Sequence, residues 1–214
     1  MSGRLRSAWE RWALPTLIEK ACRSSVILEE RRRLVPRAHG RVLELGVGSG
    51  LNLPFYDEAR VTAFVGVDPS PGLLEKARAR LRASPLRGLG ELVLAPGERL
   101  PFEDESFDSA VMTYTLCSVA DPLRVLGEIR RVLRPGAPLF FVEHGLASEP
   151  RTARLQRLLT PAWRTLSGNC HLDRDIAAAL ASADFELPEL AARFTEGTVK
   201  AVSFTYEGKA EKTV

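Results

Sequence analysis

Apolar residues along this chain come in short blocks that alternate between two periods. Residues 41–45 and 61–67 are compact apolar runs, the first running straight into glycines, and both read as buried strands. A helix is expected from Leu51 onward. Ser70-Pro71 then opens a second, with a serine cap, proline at the first helical position, and Leu73, Leu74, Ala77 and Leu81 on one face. Residues 91–95, 108–114 and 139–142 read as three further strands. Between the last two, Asp121-Pro122 starts a helix with Leu123, Leu126, Ile129 and Leu133 on its apolar side, and Arg134-Pro-Gly136 stops it. Residues 173–183 form another capped helix, and 190–194 and 199–206 two strands separated by Glu196-Gly197.

This alternation is that of a doubly wound α/β domain, a largely parallel sheet covered on both faces. The last two strands have only a short turn between them, so they pair antiparallel. Residues 5–35 read as one or two amphipathic helices broken at Pro15, with Leu14, Leu17, Ile18 and Ala21 at helical spacing, and Pro36 and Gly40 close this stretch. The chain therefore divides into an N-terminal helical arm or lid, 1–39, and one domain, 40–214, large enough for a proper core.

Composition adds limits. No apolar run approaches the ~20 residues of a membrane span, and no signal-peptide core follows Arg4, Arg6 and Arg11. The expectation is a cytoplasmic protein. Cys22, Cys117 and Cys170 lie far apart, which suits reducing surroundings and small buried side chains. The net charge of +3 is uneven. Nine basic residues before Gly40 (Arg4, Arg6, Arg11, Lys20, Arg23, Arg31, Arg32, Arg33, Arg37) face only Glu10, Glu19, Glu29 and Glu30. Such an arm is a solvated helix face, or a contact for anionic lipid, nucleic acid or an acidic substrate.

The strongest chemical signal is Glu44-Leu-Gly46-Val-Gly48-Ser-Gly50, directly after the first strand. Glycines there let the backbone approach a ligand at the carboxyl edge of a sheet. The spacing is GxGxG, with Leu51 where a dinucleotide fold has its third glycine, and a carboxylate beside the turn repels a pyrophosphate but suits an ammonium group. Asp68 ends the second strand, about twenty positions on, where an acidic side chain accepts bonds from ribose hydroxyls. Capping of the next helix is the plainer role for Asp68, but Ser70 is the better cap.

Taken together, residues 44–50, Asp68, 95–102, Ser106-Phe-Asp108 and 130–136 resemble the class I S-adenosylmethionine-dependent methyltransferases, in the branch of the ubiquinone and menaquinone enzymes. Residues 115–119, 140–144, Pro161-Ala-Trp163, Gly168-Asn-Cys170 and Gly208-Lys-Ala210 are similar to the methyltransferase-like alkyl-thiol S-methyltransferases. The resemblance implies a Rossmann-like seven-stranded sheet with its last strand antiparallel. It implies S-adenosylmethionine as cofactor and S-adenosylhomocysteine as product. Gly46, Gly48 and Gly50 would line its methionine and ribose portion with Asn52 and Pro69 in the same set, Glu44 would lie near the ammonium, Asp68 would take the ribose, and Thr113 would face the methionine part. Relatives carry an aspartate in the adenine loop where this chain has Pro96, which leaves the Gly97 backbone N–H and Glu98 to hold adenine.

The acceptor implied is a small, fairly apolar molecule, with a thiol the first choice. Quinol C-methylation and phospholipid or amine N-methylation are the alternatives, and a nicotinamide oxidoreductase or a non-catalytic binding module the other classes. His144, just after the fifth strand, is the catalytic candidate: a general base, or a histidine that bonds backbone and shapes the pocket. Cys117 reads as pocket wall. Cys170-His171 reads as a loop over the pocket, since no further ligands stand near it in sequence, and no metal is expected. Trp9, Trp12, Leu14, Leu17 and Ile18 would form a lid, a docked helix or a membrane-surface helix. Membrane anchoring as in the animal thiol enzymes does not carry over, because charges interrupt the arm, and nucleic acid has no basic groove outside it.

Overall fold

The computed structural model describes Glu19 and residues 22–195 and 198–212. The expected helix around Pro15, its apolar residues and the Glu196-Gly197 turn lie outside the described residues. The strands are β1 (Gly40–Leu45), β2 (Val61–Asp68), β3 (Gly90–Leu94), β4 (Ser109–Thr113), β5 (Pro138–His144), β6 (Phe185–Phe194) and β7 (Phe204–Lys212). The helices are α1 (Ser25–Leu34), α2 (Pro71–Arg82), α3 (Pro122–Val132), α4 (Pro150–Leu166) and α5 (Ile176–Ser182). One sheet runs β3-β2-β1-β4-β5-β7-β6. Strands β1 to β5 pair parallel, and β7 lies antiparallel to both β5 and β6, as the alternation and the short final connection require.

Successive residues of a strand point to opposite faces, and the two layers divide accordingly. Val42, Phe64, Val111 and Phe140 pack with Leu34 of α1 and Leu74 of α2. Leu43, Val65, Met112 and Phe141 pack with Leu126 and Ile129 of α3 and Leu180 of α5. Each such side chain, fully withdrawn from water, contributes about 1.5–3 kcal/mol. Serine and aspartate caps behave as their positions suggest: Ser70 accepts from the Leu73 N–H, Asp121 from Arg124 and Asp175 from Ala178.

Three elements differ from the pattern reading. No α-helix follows Leu51: Gly50 sits at φ +82° and Pro54 comes four residues later, and the chain makes only a 3₁₀ turn, Leu53–Phe55. The sixth strand starts at Phe185 rather than 190, with a register shift between Glu186 and Glu189 that accommodates Pro188. The seventh begins at Phe204, after a 3₁₀ turn at Lys200–Val202 where a strand was expected. Finally, α4 is a seventeen-residue helix with an unusual face: it buries Thr152, Ala153, Gln156 and Thr160 while Leu155, Leu158 and Leu159 are exposed.

Candidate functional site

From β1 the chain builds one half of the sheet through β2 and β3, and then returns to build the other from β4. A crevice opens at that switch point, outside the carboxyl ends of the strands. It holds a cavity of about 510 Å³. The glycine turn forms its floor. Gly46, at φ +70°, packs so closely on the β4 loop that a Cβ would lie 2.1 Å from Thr115 Oγ1. At Gly48 a Cβ would meet nothing nearer than 3.8 Å, so that stretch of backbone is open to a ligand. Asp68 closes the turn from the far side, accepting from the Gly48 N–H at 3.0 Å and the Ser70 N–H at 2.8 Å. Burial pushes its pKa up, and these two bonds oppose the shift.

Gly46, Gly48, Asp68, Pro69, Gly97, Glu98 and Thr113 all line the cavity. Gly50 does not; it lets α2 approach the turn, its missing Cβ position lying 3.2 Å from the Ala77 Cα. Glu44 and Asn52 lie beneath. Glu44 is 1% exposed and accepts from Tyr56 Oη at 2.8 Å and Asn52 Nδ2 at 3.0 Å. Burial raises its pKa to about 7, against the pull of Tyr56 and of the Arg31 charge. Asn52 also donates to Thr113 Oγ1 at 3.0 Å, and Arg31 of α1 donates to both, 2.5 Å to Asn52 Oδ1 and 2.7 Å to Thr113 Oγ1. So Glu44 connects to the cavity through Asn52, Thr113 and Arg31, and the last two line it.

Pro96 is exposed and off the cavity wall, whereas its neighbours Gly97 and Glu98 are on it. Their loop is held by Arg131 of α3, which donates to the Phe102 carbonyl at 2.8 Å and the Leu100 carbonyl at 3.1 Å while pairing with Glu128. The arginine run before β5 thus fixes the loop after β3.

The opposite end of the cavity is formed by the loop after β4 and the turn after α4. Tyr114 turns the chain at φ +55°, a left-handed position uncommon outside glycine, and its hydroxyl donates to Glu30 of α1. The fully buried Glu143 carboxylate accepts from the Thr115 N–H at 2.7 Å and the Cys117 N–H at 3.1 Å. Gly168 and Asn169, both at positive φ, turn α4 back into the site. Asn169 Nδ2 donates to the Ser118 carbonyl and the His171 N–H to the Cys117 carbonyl, each at 2.8 Å. Through these bonds Cys117, His144 and Cys170 converge, with their sulfurs and a ring nitrogen all within 4.8 Å of one another. This corrects the expectation that Cys170 has no further ligand-bearing side chains near it; they arrive from β4 and β5, not from sequence neighbours. His171 instead faces Asp173 at 3.8 Å. His144 stacks edge-on against Tyr114, ring centroids 4.7 Å apart, and is not itself on the cavity wall. The Cys170 thiol beside it pushes the Cys117 pKa up, with burial adding, while Cys117 draws that of Cys170 down against the effect of burial.

A family model for the methyltransferase domain matches residues 43–141, the stretch that carries the turn, Asp68 and the loops after β3 and β4. A phosphatidylethanolamine N-methyltransferase of Cereibacter sphaeroides is 34% identical over 150 residues, 70% of this chain and 72% of that protein. The chain belongs to the S-adenosylmethionine-dependent methyltransferases. A thiol S-methyltransferase of Rattus norvegicus is 38% identical over 157 residues, 70% of this chain, and the match spans 61% of that protein's length. Among solved structures, a methyltransferase of this type from Methanosarcina mazei superposes with a TM-score of 0.64 at 25% identity, over 83% of this chain and 94% of its own. The site fits the methyltransferase cofactor. Its lining carries the carboxylates Asp68 and Glu98, besides Glu19, which is paired with Lys76 and Arg80, against the single cation Arg31 among the described residues, which suits a sulfonium donor, and the open backbone at Gly48 leaves room for it.

The sequence reading did not single out Arg31, Tyr56 or Tyr114. Arg31 stands in a run of three arginines on an amphipathic arm, where a solvated face is the ordinary outcome. Its burial arises because α1 packs on the sheet and brings Arg31 to Asn52 and Thr113.

Proposed function

We propose that this chain transfers a methyl group from S-adenosylmethionine to the sulfur of a small, largely apolar thiol. The carrying observation is the far end of the cavity, where Tyr114, Val119, Ala120 and Gly168 form the wall and two thiols and an imidazole stand directly behind it. The phosphate of a lipid headgroup asks for a cation of its own; Arg31 is the one cation on the described lining, and in this reading the donor's carboxylate takes it. The rat relative, named for thiol S-methylation, supports the same acceptor class.

The donor, when bound, supplies a methyl group already activated on a positively charged sulfur, so this chain's task is alignment and charge. In our reading Asp68 takes the ribose hydroxyls, Gly97 and Glu98 hold adenine, and Thr113 and Arg31 receive the methionine carboxylate, with Glu44 and Asn52 fixing both beneath. The acceptor must lose its S–H proton. His144 is the histidine at that end; His39 lies before β1 at the opposite edge of the sheet and His171 faces Asp173. Glu19 and Cys22, from the stretch before α1, are on the cavity lining, and Glu19 binds Lys76 and Arg80 of α2. Among the described residues no helix is long and apolar enough to cross a membrane, and three unpaired cysteines suit the reducing cytoplasm.

Initial rates with two thiols of similar acidity, one aryl and apolar, one carrying a carboxylate, test the acceptor class. The apolar thiol should show the higher kcat/KM. A preference for the charged thiol contradicts the reading.

A further inference from the structure

We propose that Cys117, His144 and Cys170 bind one zinc ion, whose open fourth position takes the sulfur of the acceptor. The inference rests on the thiol reading above, but the metal site stands on its own geometry. In tetrahedral zinc with two sulfur ligands and one nitrogen ligand, the ligand atoms are about 3.5–3.8 Å apart. Here the three lie within 4.8 Å of one another. Small side-chain rotations bring them to bonding distance. Two thiolates and an imidazole suit zinc among the divalent ions, and the two thiolate charges neutralise it in a buried place.

The frame around the three is built independently of any ion. Both oxygens of the buried Glu143 hold the backbone of the loop that carries Cys117. The loop that carries Cys170 is bonded to that same loop through His171 N–H and Asn169 Nδ2. Tyr114 packs edge-on against the His144 ring. Outer contacts of this kind orient ligands and are part of a working metal site. Neither cysteine is in a disulfide.

Three protein ligands with one open position is the arrangement of catalytic zinc; structural sites use four. The three side chains stand behind the cavity wall, but Ser118 and Asn169, the sequence neighbours of the two cysteines, line its acceptor end, and it is toward this end that the open position would face. A thiol that enters there binds zinc through sulfur; His144 is then a ligand in place of the base named above, and the S–H proton goes to solvent. Its sulfur then forms a bond to the methyl carbon while the carbon–sulfur bond of the donor breaks. The donor leaves as the neutral thioether S-adenosylhomocysteine. The methylated product is also a neutral thioether, a weak zinc ligand, and departs.

The test uses the full chain purified with a non-thiol reductant and no chelator. Elemental mass spectrometry should find about one zinc per chain, falling roughly tenfold or more in Cys117→Ala and in Cys170→Ala. Cobalt loaded into the wild-type chain should give a thiolate-to-metal charge-transfer band that changes when an alkyl thiol is added without donor, a readout that does not depend on the variants folding. Stripping the metal should abolish thiol methylation, and zinc should restore it. A reduced, folded chain with only trace metal and no cobalt band overturns the proposal. So does a cobalt spectrum indifferent to thiol, or undiminished thiol methylation by the metal-free protein, and in that last case the thiol reading survives alone. Stoichiometric zinc and a thiol-sensitive spectrum without methylation of any thiol support the site and instead remove the reading of the reaction.

Discussion

Asp68 holds two backbone N–H groups and still presents its carboxylate to the cavity. One side chain thereby shapes the glycine turn and offers acceptors to a ribose. Loss of its charge-assisted bonds costs about 1.5–3 kcal/mol, so Asp68→Ala should weaken S-adenosylhomocysteine binding roughly ten- to hundredfold by calorimetry. A folded Asp68→Ala chain with unchanged affinity leaves only the structural tie. Glu44 is subject to a different constraint. Its folded pKa of about 7 exceeds the ordinary 4.5, so the folded state holds the proton more tightly. Stability from this residue is therefore full below about pH 4.5, falls as pH rises, and levels off above about 7, a loss of about 3 kcal/mol. Urea unfolding of Glu44→Gln and wild type between pH 4.5 and 8 should diverge by up to that amount in favour of the variant. Parallel curves would show that Glu44 ionises in the fold as easily as in water. Asp68 and the glycines were legible because they end strands whose pattern is plain. Arg31 was not, since nothing in a basic helical run marks the residue that α1 turns inward.

Among the elements, α1 is part of the core, with Leu34 at 1% exposure and Val35, just past its end, at 0%. Leu34→Ala should cost about 2–5 kcal/mol of stability. Removal of residues 1–24, by contrast, should leave the melting temperature within a few degrees and lower turnover, because the contacts described before Ser25 are the Glu19 ion pairs to α2 and the cavity lining by Glu19 and Cys22. If that truncated chain keeps full turnover, the segment is no lid; if it unfolds, the boundary of the core lies earlier. The strands from β1 to β5, α2 and α3 could be read from periodicity because most of their apolar residues are buried against one another, although Leu123, expected on the apolar side of α3, is half-exposed. The helix α4 could not, since its buried side consists of Thr152, Gln156 and Thr160 and its leucines face outward. Gln156 explains part of that reversal: it accepts from the Ala147 N–H at 2.8 Å and donates to the Gly145 carbonyl at 3.1 Å, satisfying the backbone just after β5. The start of β6 was hidden by Glu186, Pro188 and Glu189, which a register shift absorbs.

At the scale of the molecule, strand order performs the assembly that sequence distance conceals. Cys117, His144 and Cys170 are each separated by more than twenty-five residues, and they meet because β4 and β5 are neighbours and α4 returns to their carboxyl ends. The same edge carries the glycine turn and Asp68, so donor and acceptor ends share one crevice. The central claim, methyl transfer to a thiol, is tested most directly by mass spectrometry of products. The reduced full chain is incubated with S-adenosylmethionine and, in parallel, with alkyl and aryl thiols, a demethylated quinol and vesicles containing phosphatidylethanolamine. Methyl thioethers from the apolar thiols, matched by equal S-adenosylhomocysteine, are the expected result. Methylation of the quinol or the ethanolamine headgroup with every thiol unchanged would contradict it.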